Sequence, residues 1–474
     1  LSATIYWYDF ETFGTDPRRD RPSQFAGLRT DLELNIIDEP LTLYCRPADD
    51  FLPSPVSCLI TGITPQQAHD QGLPEAEFIT RIIEEFARPN TCVAGYNSIR
   101  FDDEMTRQLL YRNFFDPYER EWQQGNTRWD IIDMLRLCAA VRPDGISWPR
   151  RADGSISFRL EDLTAANNID FGQAHDALVD VKATIAMADL VRRNQPKLYD
   201  YVFGLREKRK VAAELDLHTH KPVVHVSGMY PAEHGRLALT MPICKHPTNN
   251  NGVIVYDLRV DPESWLHLDV ATLRRRLFAP SSELQEGEQR IPLKTLHTNR
   301  CPIVASAGIL EPKVAQRLAI DLDACRQHWQ QLMEQTDLVS RLQQVWREEQ
   351  HAAEQDPDFM IYSGGFFSDA DKSLMRTLRG TPATDLGRLD LPFRDRRLPE
   401  MLFRYRARNY PKTLNEEEQQ RWQDFRRQRL QSTAVRERYQ HELDEAWERA
   451  EPDQHPVLEA TEAYVATLLA GIDD

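Results

Sequence analysis

Residues 4–10 read TIYWYDF, and Glu11 follows two positions after Asp9. β-branched and aromatic side chains crowd this stretch, which predicts a strand. The strand ends in acids. Asp9 and Glu11 stand at i and i+2, so both carboxylates point to the same side of the sheet. Two acids that close repel unless a cation sits between them, and a core-facing strand does not end in such a pair without a partner for it. Taken alone, Asp-x-Glu also fits a solvated surface pair.

Working outward, the chain to about residue 196 alternates strand-like and helix-like patterns, which predicts an α/β unit. Residues 25–29 and 32–37, separated by Thr30 and Asp31, predict a hairpin, and 41–45 a third antiparallel strand. Phe78, Ile82, Ile83 and Phe86 have the spacing of an amphipathic helix over 75–86. A short buried strand is expected at 91–94. Helices are expected over 103–114, 130–141, 160–167 and 177–193, with Pro196 ending the last.

From 197 to 352 the pattern changes to short strands with turns (223–226, 237–241 and 253–258), and helical periodicity returns from Lys313. The basic clusters 206–210 and 274–276 fit either phosphate contacts or solvated surface charge. The region 353–474 reads as helical and charged. Between Leu391 and Thr413, seven basic residues (Arg394, Arg396, Arg397, Arg404, Arg406, Arg408 and Lys412) face only two acids, with Phe393, Phe403, Tyr405 and Tyr410 among them. Such a mixture can stack bases and neutralise phosphates. It also fits a helix whose aromatics pack inward while its arginines face water.

A chain of 474 residues is too long for one ordinary core, so two or three packed units are expected. No apolar run approaches the roughly 20 residues of a bilayer helix, which predicts no membrane association. The N-terminus has neither the basic region nor the cleavage site of a secretory signal. Seven cysteines without a Cys-x-x-Cys pair argue against a disulfide framework or a zinc knuckle, and point to a reducing cytoplasm. The 58 Lys and Arg against 74 Asp and Glu leave a net charge of −16, so any polyanion must be held by local positive patches.

Three further positions complete a chemical set with Asp9 and Glu11. Asp102 and Asp103 fall where a buried strand should give way to a helix, and either one can cap it; Asp103 suits the cap better, leaving Asp102 for a cleft. His175 and Asp180 lie five residues apart, about 140° around a helix, so they share a face only if His175 precedes the helix and Asp176 caps it. Four carboxylates and one histidine suit two-metal phosphodiester hydrolysis. Two Mg²⁺ ions about 4 Å apart would neutralise the phosphate, hard oxygen ligands favour Mg²⁺ with Mn²⁺ as a substitute, and a histidine titrating near neutrality can take a proton from water. Arg107, Arg112, Tyr118, Trp122, Trp129, Arg136 and Arg142 follow as an arginine and aromatic mixture suited to unpaired bases.

The order and spacing of Asp9, Glu11, Asp102, His175 and Asp180 resemble the histidine-containing (DEDDh) branch of the DEDD exonucleases. Nearly the whole chain resembles the bacterial exonuclease I family, through YDFETFGT (8–15), LITGITP (59–65), GYNSIRFDDE (95–104), RNFFDPY (112–118), FRLEDLT (158–164), AHDALVDVKAT (174–184), VHVSGM (224–229), GFFSDADK (365–372) and FRYRARNYP (403–411). The resemblance implies a ribonuclease H-like exonuclease domain with a mixed sheet (1–196), an SH3-like β-barrel domain with flanking helices (197–352) and a C-terminal helical domain (353–474), closing a groove around one DNA strand. It implies 3′→5′ hydrolysis of single-stranded DNA in repair and recombination. Asp9, Glu11 and Asp180 would ligate metal, Asp102 would do so directly or through water, and His175 would be the general base. Glu11, Thr12 and Phe13 would lie beside the terminal nucleotide, and Arg159 would contact substrate. The implied partner is the acidic C-terminal tail of single-stranded DNA-binding protein, and a monomer is expected. An RNA-directed DEDDh exonuclease and a non-catalytic single-strand-binding scaffold are the alternatives. Relative to the family the chain begins a few residues short and without an initiator Met, which points to trimming.

Overall fold

In the computed structural model, residues 2–170, 172, 176–347 and 354–473 are described. Strand β1 (Thr4–Thr12) is the axis of the first sheet. It pairs antiparallel with β2 (Pro22–Thr30), which pairs antiparallel with β3 (Leu41–Tyr44), and on its other side it runs parallel to β4 (Thr91–Gly95). A short β5 (Thr127–Asp130) completes the order β3-β2-β1-β4-β5. The parallel pairing stops at Trp7 opposite Ala94. Asp9 and Glu11 therefore lie past the end of β4, on the strand where an antiparallel neighbour meets a parallel one, the place where open α/β sheets hold ligands.

Alternation divides β1 by chemistry. Tyr6, Tyr8 and Phe10 turn to one face, where they pack with Phe25 and with Phe78, Ile79, Ile82 and Phe86 of the helix Glu75–Phe86. Asp9 and Glu11 are left on the other face. In chain order the helices of this part are α1 (Pro55–Thr61), α2 (Pro65–Gln71), α3 (Glu75–Phe86), α4 (Asp102–Arg112), α5 (Ile132–Val141), α6 (Leu160–Ala166) and α7 (Ala177–Asn194). The motif LITGITP is two helix boundaries: Gly62, at φ 69°, ends α1, and the Thr64 side chain caps α2.

Several expectations change. Residues 32–37 form no strand; the Asp31 carboxylate accepts from the Asn35 backbone and side-chain amides, and Leu34 takes a φ of 70°, so the segment closes as a turn. The real hairpin partners of β2 are β1 and β3. Pro196 opens the next helix, Pro196–Gly204, at its first position, where its missing N–H is harmless.

By internal contacts the chain divides into two units. The first comprises residues 1–127, 171–185 and 353–474, the second residues 128–170 and 186–352. In the first, the C-terminal helices share a core with the end of α4: Tyr111 and Phe114 pack with Ile361, Phe367, Met375, Leu398, Met401 and Tyr405. The second contains an all-antiparallel sheet of β6 (Val223–Val226), β7 (Leu237–Lys245), β8 (Gly252–Asp257), β9 (Leu293–His297) and β10 (Ile303–Ser306), in the order β10-β6-β7-β8-β9. β7 runs through Pro242 because a register shift there removes the need for its N–H.

The arginine clusters are used by the fold. Arg274 donates to the Val345 carbonyl, Arg275 pairs with Glu288 at 2.5 Å, and buried Arg276 donates to the Gln289 and Ser264 carbonyls. In the helix Leu398–Asn409, buried Arg404 and Arg406 pair with Glu400 and Glu418, and Arg408, whose side chain is 5% exposed, pairs with Asp50 and Asp358. That helix buries its aromatics, as one reading expected, and buries these arginines too. All seven cysteines are free thiols. Among the described residues no helix is long and apolar enough to cross a membrane.

Candidate active site

Gly95, at the end of β4, lets the chain turn: a Cβ there would meet the Ser98 Cβ at 2.7 Å and the Tyr8 carbonyl at 3.1 Å. α4 then starts at Asp102 without a side-chain cap. The two acids at its start diverge. The Asp102 carboxylate accepts from the Phe10 N–H at 3.2 Å, which holds it against β1. Asp103 is a buried ion-pair partner and not the expected cap, because Arg120 reaches it at 2.5 Å and the Tyr8 hydroxyl donates to it at 3.0 Å.

Asp180 arrives on the first turn of α7. The Asp176 carboxylate accepts from the Leu178 and Val179 N–H groups, as an N-cap does. The Ala177 N–H donates to the Gln24 side chain at 3.1 Å, and Gln24 is paired with Glu11 across the sheet. This link, invisible in the spacing, brings the start of α7 beside the acidic end of β1. Oxygens of Asp9, Glu11 and Asp180 thus lie within 4.8 Å of one another. Asp102 stands outside that trio, yet its charge acts on it. Burial, then Asp102, Glu11 and Asp180, push the Asp9 carboxyl well above the usual range; burial, then Asp180, Asp102 and Asp176, push Glu11 up to about 8. Three crowded oxygen donors fit a hard divalent cation. His175 lies outside the described residues.

The remaining positions are more dispersed. Thr12 is buried, its hydroxyl donating to the Gly14 carbonyl. Phe13 packs with Phe51, Cys58, Ile63 and Ala68, its N–H donates to the Arg21 carbonyl, and its carbonyl accepts from Ser54. Arg107 is held by Glu121 at 2.8 Å and lies over the Tyr118 ring. Trp122 is 65% exposed. In the second unit Arg159 is exposed beside Glu161, Arg136 pairs with Asp133 at 2.6 Å, and Arg142 approaches Glu311 at 3.5 Å; Trp129 is buried. Outside the arginine and aromatic mixture, Phe366 is 85% exposed and set edge-on to Tyr118 at 5.8 Å. Its signal is the pair Phe366-Phe367 after Gly365, at φ 71°, with one ring out and the other in the core.

Family models match three consecutive segments: Exonuclease over residues 6–188, Exonuclease I SH3-like domain over 206–348, and Exonuclease I C-terminal domain over 355–468. The exodeoxyribonuclease I of Escherichia coli (strain K12) is 48% identical over 427 residues, 90% of each chain. The chain belongs to the exonuclease I family. Among solved members of the family, a moderately thermophilic exonuclease I from Methylocaldum szegediense is 51% identical with a TM-score of 0.93, covering 98% of this chain and 99% of its own. A zinc-bound complex of E. coli exonuclease I with single-stranded DNA is 44% identical with a TM-score of 0.95, covering 99% and 100%. This member of the family is accordingly an exodeoxyribonuclease, built of an exonuclease domain, an SH3-like domain and a C-terminal domain.

Proposed function

We propose that this exonuclease digests single-stranded DNA from the 3′ end, releasing 5′-mononucleotides at the acidic cage. The observation that carries the reading is the meeting of Asp9, Glu11 and Asp180 within 4.8 Å at the open end of β1. The single-stranded DNA held by the E. coli relative supports the substrate. Two Mg²⁺ ions, replaceable by Mn²⁺, suit the all-oxygen donors: Asp9, Glu11 and Asp180 bind directly, and Asp102 directly or through water. Bound there, such ions neutralise the phosphodiester and make water acidic.

The chain's own residues do the rest. His175 accepts the proton of the attacking water. The water attacks the terminal phosphorus in line, and the 3′ oxygen of the preceding nucleotide leaves. Glu11 and Thr12 lie beside the terminal nucleotide, with Phe13 fixing them from the core. Arg159 contacts the strand, Arg107, Arg136 and Arg142 add positive charge, and Tyr118, Trp122 and Phe366 stack unpaired bases, each base contributing about 1–3 kcal/mol. The same reading includes a monomer at work in cytoplasmic DNA repair and recombination, docking of the acidic tail of single-stranded DNA-binding protein, and domain limits at 1–196, 197–352 and 353–474, which the three matched segments support.

With Mg²⁺, a 5′-labelled single strand should shorten from its 3′ end, while its duplex and RNA counterparts persist. Asp9→Ala and Asp180→Ala should bind the strand without cutting it, and His175→Ala should cut about 10²–10⁴-fold more slowly. An active Asp9→Ala/Asp180→Ala double variant refutes the assignment.

A further inference from the structure

We infer that Asp103, together with Tyr8 and Arg120, is a buried brace that sets the distance between the two elements carrying the metal-binding acids, and so tunes their affinity for the cation. The inference rests on the cage being the metal site proposed above.

β1 and α4 carry Asp9, Glu11 and Asp102 on facing ends, and crowding three carboxyl groups there without a cation opposes the close approach of the two elements. Two hydrogen bonds oppose this. The Phe10 N–H donates to Asp102 at 3.2 Å, and the Tyr8 hydroxyl donates to Asp103 at 3.0 Å. Phe10 and Tyr8 are the chain neighbours of Asp9, so the bonds run from the positions on either side of that ligand to the first two residues of α4. Asp103 can hold a charge there because Arg120 neutralises it at 2.5 Å.

Arg120 is 3% exposed, its guanidinium lies over the Phe86 ring at 5.0 Å, and its Nε and other terminal nitrogen have no hydrogen-bond partner among the described residues. Burying a guanidinium with donors unmet is unfavourable, and here the ion pair with Asp103 offsets that cost. The pair also keeps Asp103 turned away from the cage, so the adjacent acids Asp102 and Asp103 divide two tasks, one facing the metal and the other fixing the helix. Groups that orient metal ligands commonly affect affinity by 10–100-fold. Asp103, Tyr8 and Arg120 are positioning residues in this sense and touch no reacting atom.

The test is Mn²⁺ binding to the DNA-free full chain by calorimetry, alongside the Mg²⁺ dependence of hydrolysis. Asp103→Asn should weaken Mn²⁺ binding about ten-fold and raise the half-saturating Mg²⁺ concentration to match, with KM for single-stranded DNA unchanged and activity recovering at high Mg²⁺. Tyr8→Phe, which removes one hydroxyl and keeps the ring in the core, should shift both in the same direction by less. A folded Tyr8→Phe and a folded Asp103→Asn that bind Mn²⁺ as the wild type does overturn the brace while leaving the cage intact. A wild type that binds no Mn²⁺, or binds it unchanged after Asp180→Asn, overturns the cage and the brace with it.

Discussion

Burial and then the Asp180, Asp102 and Asp176 carboxylates push the Glu11 carboxyl up to about 8. A carboxyl whose folded pKa is raised contributes stability below its unfolded value, near 4.5, and loses it as pH climbs through the folded value. Without metal, the wild type should therefore become less stable between about pH 4.5 and 8. Asp180→Asn, which removes one repelling charge, should melt about 2–4 °C higher in chelator at neutral pH, and Mg²⁺ should stabilise the wild type far more than the variant. A thermal melt in both buffers checks this; a variant that melts lower in chelator contradicts it. Asp9 and Glu11 were legible as a pair because the strand period of two puts both on one face, whereas the Ala177–Gln24 bond that brings Asp180 beside them has no signal in the spacing. Asp103 was not: cap and ion-pair partner look alike until Arg120, 17 residues on, folds back to meet it.

Single elements were legible wherever the signal was local. The helix α3 runs over the residues its apolar spacing marked, and β6 over its β-branched stretch. The helix Leu398–Asn409 was ambiguous because its arginines find Asp50, Asp358 and Glu418 far along the chain, and a local charge count cannot see them. Burial alone would raise the Asp50 and Asp358 carboxyls, yet Arg408 helps hold both well below the usual range. Arg408→Ala removes the shared partner of two buried carboxylates, leaving Asp358 with Arg404 at 3.1 Å and Asp50 with Arg429 at 3.6 Å, and should cost about 3–5 kcal/mol, measured by urea denaturation; a near-neutral effect would contradict it. In β6, burial and then Lys294 push His225 down to about 3, and its Nδ1 lies 2.7 Å from the Ile303 carbonyl of the neighbouring strand. A His kept neutral contributes stability that is complete above its unfolded pKa of about 6.5 and is lost as pH falls towards 3, at about 1.4 kcal/mol per pH unit. Urea titrations from pH 7 to 4 should show that slope in the difference between the wild type and His225→Asn; a difference that stays constant over this range contradicts it.

At the level of the molecule, a chain of net charge −16 is assigned a polyanionic substrate, so the reading depends on where charge is concentrated and not on its sum. The succession of an α/β region, a strand-rich region and a helical region was legible from pattern alone. The joining of residues 1–127 with 354–473 in one unit was not, since it depends on Tyr111 and Phe114 packing against Phe367, Met375 and Tyr405 across more than 240 positions of sequence. The cage likewise gathers ligands from two distant parts of the chain, 9–11 and 180, through the Gln24 bond to α7. Anomalous diffraction from crystals grown with Mn²⁺ and a short single strand tests that convergence most directly. A manganese peak bounded by the Asp9, Glu11 and Asp180 carboxylates, beside the 3′-terminal phosphate and absent in Asp180→Asn, is the predicted result. Manganese bound only elsewhere, with the strand's 3′ end away from these oxygens, would contradict it.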